Sequence, residues 1–269
     1  MKAFVRLFYG CCCAAVTVLS GCVSPPDGAA EQGSRGDLVT ESDETDVRKR
    51  ARLRLELASS YFEQGQTNVA LDEIKQSLTT DPTFVEAHNL RGLVYLRLNN
   101  APLAEESFRR ALSLNPRDAD VAHNYGWMLC QQARYNESFK MFAQAAANPV
   151  YLGKAKTLMT QGVCQVRAGQ RAEAEKSLMQ AYELDASNPV TGYNLANLLY
   201  ERNELARAQF YIRRLNNSDL ANAETLWLGI KTERKMNNRE TALQLGEQLK
   251  KRFAQSAQAA LYEKGAFNE

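Results

Sequence analysis

The stretch VEAHNLRGLVYLRLNNAPLAEESFRRALSLNP (residues 85–116) places small residues, Gly92 and Ala104, at its eighth and twentieth positions and larger ones, Tyr95 and Phe108, at its eleventh and twenty-fourth. Pro116 closes it. Small residues at those two positions let two helices of a pair approach closely, while the larger ones fill the space between successive pairs. The stretch therefore reads as a helix–turn–helix that needs copies of itself to cover its apolar surface.

The copies are present. Aligning Pro82 with Pro116 puts a preceding unit at Ala51, with Leu57, Ala58, Tyr61, Ala70 and Ile74 on the same pattern. A third unit starts at Ala119, with Tyr125, Gly126, Leu129, Phe142 and Ala145, although Ser138 stands where Ala is usual. A fourth starts near Ala155, two residues late, with Gly162, Ala174, Leu178 and Ala181. A fifth starts at Pro189, with Leu195, Ala196, Leu199, Ala208 and Ile212. The sixth, from about Asn222 with Leu228, Gly229 and Ala242, is weaker and is expected to act as a cap. A 34-residue period with these residues marks the tetratricopeptide repeat. The fold class that follows is all-α: a tetratricopeptide-repeat superhelix of about six pairs over residues 48–269. The two extra residues near NPVYLGKA (residues 148–155) predict a longer loop between the third and fourth pairs.

Upstream of the repeats the chain changes character. Lys2 and Arg6 precede an apolar run over residues 7–19, followed by Leu19-Ser20-Gly21-Cys22. A basic segment, a short apolar segment and small residues at a cut site describe a secretory signal. The run is shorter than the roughly 20 residues that a membrane-spanning helix needs. Leu-Ser-Gly-Cys resembles the lipobox of bacterial lipoproteins, which implies that residues 1–21 are discarded and Cys22 carries a lipid. Val23 follows instead of the aspartate that resembles an inner-membrane retention signal, so an outer-membrane, periplasm-facing destination is expected. Residues 22–47, rich in Pro, Gly, Ser and acids, read as a disordered tether. Its root-mean-square span would be roughly 25–30 Å. The basic run RKRARLR (residues 48–54) reads as the solvated face of a first helix, with Asp46 as N-cap.

The usual constellations of chemistry are missing from the sequence. It holds two histidines, His88 and His123, and no HExxH, GxGxxG or phosphate loop. The reading is therefore a binding protein, not an enzyme, with no cofactor beyond the covalent lipid on Cys22, no metal and no small-molecule substrate. Of 33 basic residues, removal of Lys2 and Arg6 leaves 31 against 31 acidic ones, so no nucleic-acid footprint is expected.

Positions 2, 5, 9 and 12 of each first helix build the concave face of such a superhelix. They give Phe62, Leu96, His123, Trp127, Met159, Tyr193, Asn197 and Tyr200 as candidate groove residues. Leu93 and Val163 fall on the same positions, where packing on a neighbouring repeat is an equal reading. An apolar, aromatic concavity calls for a partner, an amphipathic helix or an extended peptide. Tetratricopeptide domains that grip a terminal carboxylate carry Lys and Asn where this first repeat has Leu55 and Ser59, so that mode is disfavoured. Cys130 and Cys164, one repeat length apart on successive first helices, are expected to form a disulfide in an oxidising periplasm. The other reading is two buried free thiols.

HNYGWMLC (residues 123–130), NPVY (148–151) and GVC (162–164) resemble the type IV pilus biogenesis lipoprotein family, the PilF/PilW-type secretin pilotins. That resemblance implies a lipid-bearing Cys22 and, by position, the Cys130–Cys164 pair. It also implies a function: helping secretin subunits reach the outer membrane and assemble there. The rival expectation is a lipoprotein of the outer-membrane β-barrel assembly machine or a scaffold for cell-wall hydrolases.

Overall fold

The computed structural model describes residues 44–267. The signal segment, Cys22 and nearly all of the expected tether lie outside them. The described residues form thirteen helices and no strand. Six first helices are α1 (Asp46–Glu63), α3 (Val85–Arg97), α5 (Ala119–Gln131), α7 (Lys154–Arg167), α9 (Pro189–Glu201) and α11 (Ala223–Lys235). Their second helices are α2 (Thr67–Thr80), α4 (Ala101–Leu114), α6 (Tyr135–Ala146), α8 (Arg171–Leu184), α10 (Leu205–Asn216) and α12 (Arg239–Arg252), followed by α13 (Ala257–Lys264). Each first helix packs on its own second helix, and each second helix packs on the next first helix. Successive first helices also touch one another, so they form a continuous layer.

The repeat positions explain this packing. The large residue at position 24 is Ile74, Phe108, Phe142, Leu178 or Ile212, and each is fully buried. It sits over the small residue at position 8. A Cβ added to Gly92 would stand 2.6 Å from the Phe108 ring, and one on Gly162 would stand 2.6 Å from Leu178 Cγ. Burying each of these side chains contributes about 1.5–3 kcal/mol, and any larger residue at position 8 would hold the helices apart. Ser138, the exception at position 20, is accommodated because its hydroxyl donates to Gly126 O at 2.7 Å. Ser77 does the same to Ala51 O at 2.7 Å.

Every turn inside a pair has one residue in the left-handed region: Gly65, Asn99, Ala133, Gly169, Asn203 and Asn237. The next amide reaches back to a carbonyl five residues earlier, as in Arg134 N to Leu129 O at 2.9 Å and Gln170 N to Gln165 O at 2.8 Å. This is the closure that satisfies the last carbonyls of a helix, and it favours Gly or Asn at the left-handed position. Ala133, at φ 58°, adopts it with a Cβ and bears strain.

Three local expectations are corrected. The N-cap of α1 is Thr45, whose hydroxyl accepts from Arg48 N at 3.2 Å; Asp46 is the first helical residue, two positions before the expected domain start. The basic run of α1 is tied into the fold: Arg48 pairs with Asp81 at 2.6 Å and Arg54 with Glu73 at 2.9 Å. The sixth repeat is a complete pair, and the cap is α13, which covers α11 and α12 through Tyr262, Ala259 and Leu261. Between α6 and α7 the expected longer loop is present, with Val150 80% and Leu152 100% exposed.

Candidate partner-binding groove

The layer of first helices presents a face opposite the second helices, and most of the candidate groove residues are half-buried on it. Phe62 and Leu96 pack on the clusters around Ile74 and Tyr125. Met159, Tyr193 and Tyr200 pack on the cluster around Leu195, Leu199 and Ile212. Leu93 and Val163 are also half-buried, Leu93 against the Tyr125 cluster. Trp127 lies against Cys130, Phe142 and Cys164. Asn197 donates to Glu201 Oε1 at 3.1 Å along its own helix.

His123 is a correction. It is 5% exposed, its Nδ1 lies 2.9 Å from Thr157 Oγ1 on α7, and its ring stands 6.0 Å from that of Phe142. Burial, aided by the nearby charge of Lys156, pushes its pKa down to about 4. Position 5 of α5 faces α7, as Asn89 at position 5 of α3 meets Asn124 of α5 at 3.1 Å, so this side chain fills the seam between repeats and offers nothing to a partner. Beside it, Cys130 and Cys164 are joined by a disulfide, with Cα atoms 6.0 Å apart and both residues buried. Among the described residues no group of three His, Cys, Asp or Glu could hold a metal ion, and no helix is long and apolar enough to cross a membrane.

The residues missed from sequence are cations. Arg97 of α3 lies 3.6 Å from the centre of the Phe62 ring of α1, and its guanidinium also donates to Phe62 O. Arg167 of α7 lies 5.0 Å from the Trp127 ring of α5. Lys231 and Lys235 of α11 lie 5.4 and 4.1 Å from the Tyr200 ring of α9. Burial, with the adjacent Lys235 charge, lowers the Lys231 pKa. At the end of the array, Arg234 lies 3.6 Å from the Phe267 ring, which stacks on Trp227 at 5.5 Å. A signal was available: position 13 of the first helices runs Glu63, Arg97, Gln131, Arg167, Glu201, Arg234, with basic residues in alternate repeats.

Other arginines of the array are gathered by carboxylates. Glu105 takes Arg134 at 2.8 Å, Arg109 at 2.6 Å and the Tyr125 hydroxyl at 2.8 Å. The hydrogen bond from Arg134 is the main reason its carboxyl stays below the usual range. Glu175 likewise binds Arg202 and Arg207, the latter at 2.7 Å.

The fold and this face define a tetratricopeptide-repeat protein. Models of the tetratricopeptide repeat match residues 55–119 and 91–150, and another matches residues 155–188. The chain is homologous to the type IV pilus assembly protein PilF of Pseudomonas aeruginosa, at 27% identity over 235 residues, 87% of this chain and 89% of that protein. A solved structure of P. aeruginosa PilF superposes with TM-score 0.74 and 25% identity, covering 82% of this chain and all of that one. PilW, described with its crystal structure as a widely conserved type IV pilus biogenesis factor, gives TM-score 0.72 and 28% identity over 81% of this chain and 99% of its own. YrrB, a repeat protein with an unusual peptide-binding site, shares the fold at TM-score 0.57 and 17% identity.

Proposed function

We propose that this chain is a pilotin of type IV pilus biogenesis: an outer-membrane lipoprotein, acylated at Cys22, that binds secretin subunits and promotes their delivery and multimer assembly. Likeness to PilF and PilW supports a role in pilus biogenesis. The observation that carries the reading is that the alignment with PilF runs through nearly the whole of both chains, well beyond a single shared repeat. The unbroken layer of first helices supports a holding function, since half-buried aromatic side chains on it offer area to a peptide or helix without any catalytic grouping beside them. Binding free energy is then the output, with the lipid and tether supplying location and reach.

Deleting the gene tests this. Loss of secretin multimers and of twitching, with a normal porin profile, is the expected outcome; broad porin loss would move the protein to the β-barrel assembly machine, and a cell-shape defect alone to cell-wall hydrolases. A Cys22→Ser chain is expected to lose incorporation of labelled palmitate and to leave the outer membrane. Within the groove, a Trp127→Ala, Tyr193→Ala double variant is expected to capture less secretin.

A further inference from the structure

Three of the cation–ring contacts on the first-helix face share one arrangement. They bridge two neighbouring first helices, with the aromatic on the earlier repeat and the cation on the later one: Phe62 to Arg97, Trp127 to Arg167, Tyr200 to Lys235. The three rungs fall between repeats 1 and 2, 3 and 4, and 5 and 6, and all lie toward the C-terminal ends of these helices. At the cap the order reverses, with Arg234 of α11 over the later Phe267 ring. Arg97, Arg167, Arg234 and Lys235 have no carboxylate partner among the described residues. Arg167, Arg234 and Lys235 are exposed. The acids at the same positions do not neutralise them: Glu201 is paired with Arg171 at 3.0 Å, and Glu63 stands alone at the first repeat.

An exposed guanidinium resting on a ring face gains only about 0.5–1 kcal/mol there. A carboxylate arriving in the same place, with the ring still beneath, adds a charge-assisted and geometrically forked hydrogen bond. Unlike the arginines gathered by Glu105 and Glu175, the cations of this row, which forms a rim along the C-terminal ends of the first helices, rest on rings and keep their charge available. From this geometry we infer that the rim is a docking strip for an extended, acidic segment of a partner protein, whose apolar side chains lie on Trp127 and Tyr200 while its carboxylates meet Arg97, Arg167 and Lys235. The inference rests on the partner-binding reading above and adds the chemistry of the partner. Neighbouring helices pack 8–10 Å apart, so rungs two repeats apart lie about 20 Å apart, the length of about six extended residues. A matching segment therefore carries acidic groups about six residues apart over some 13 residues or more.

The test uses the full chain in detergent and two labelled peptides of about 18 residues, long enough for two intervals. One alternates Asp or Glu with Phe or Leu; the other has Lys in place of every acid. Fluorescence anisotropy is expected to show binding of the acidic peptide, weakened as salt rises from about 0.05 to about 0.5 M, and none of the basic one. The Arg97→Glu, Arg167→Glu, Lys235→Glu triple variant, with its circular dichroism and melting temperature unchanged, is expected to bind about tenfold or more weakly. Were that variant to unfold, the three single Gln variants, each with a smaller loss, take its place. Equal binding of both peptides, salt-independent binding, or full affinity in the charge variants overturns the strip. Secretin multimers in a strain carrying the triple variant separate the two ideas: normal multimers with lost peptide binding leave the pilotin reading intact, while lost multimers in the deletion strain are what that reading needs.

Discussion

The junction between repeats 3 and 4 and that between repeats 5 and 6 use the same helix stacking and opposite means of holding it. In the first, α5 and α7 are joined by the Cys130–Cys164 disulfide beside an uncharged, buried His123. In the second, α10 and α11 close over a fully buried carboxylate, Glu233, which accepts from Arg213 at 2.7 Å, Gln209 at 2.8 Å and Asn238 at 2.7 Å. Burial pushes that carboxyl up, but the hydrogen bonds from Arg213, Asn238 and Gln209 outweigh it and leave the pKa lowered. Because each repeat touches only its neighbours, stability is close to a sum of local terms, and the two junctions should fail under different conditions.

Reduction breaks the comparison most strongly. The disulfide closes a loop with a sequence separation of 34 residues. On the loop-entropy estimate, a Cys130→Ala, Cys164→Ala variant loses about 4 kcal/mol. Hydrogen exchange is expected to place the loss in α5 to α7 and to leave α9 to α12 protected; uniform loss would show that the array folds as one cooperative block.

Acid acts next, and first on the same junction. The folded pKa of His123 lies below its unfolded value, so its contribution is intact above pH 6.5 and is lost as pH falls from about 6.5 toward about 4. The loss reaches at most about 3 kcal/mol. Glu233, also lowered, keeps its contribution above the ordinary carboxylate range and loses it only as pH falls through the folded value. Denaturant midpoints of wild type and His123→Gln between pH 7 and 4 are expected to converge, and parallel curves would remove His123 from the account.

At the other junction, Glu233→Gln keeps the shape but replaces an acceptor with a donor facing Gln209 and Asn238. The expected cost is about 1–3 kcal/mol, confined to repeats 5 and 6 and insensitive to reductant. The smallest effect is a gain: Ala133→Gly relieves a left-handed residue at the third turn and should stabilise by about 0.5–1 kcal/mol. Gly169→Ala, with nothing within 4 Å of the added Cβ but φ at 76°, is expected to cost a similar amount through backbone strain alone.

How much of this was legible in the sequence depends on the range of the interaction. Position-8 and position-24 residues are set by helix-to-helix contact inside one unit, so the 34-residue period reveals them. The cation ladder was half visible, because Arg97, Arg167 and Arg234 share a position, but a search for apolar groove residues passes over basic ones. The capping helix α13 carries no repeat signature, and its role follows only from what it covers.

The chain by itself determined six helix pairs, their order, the late start of the fourth and the spacing of the two cysteines, because those depend on residue size and periodicity along the backbone. Only the tertiary structure decided which side chains face out of the first-helix layer. His123 is buried against Thr157 of the next first helix, and Trp127 and Tyr200 acquired their cations from the next repeat. Such contacts lie some 31–40 residues apart in sequence and come together only when neighbouring repeats stack.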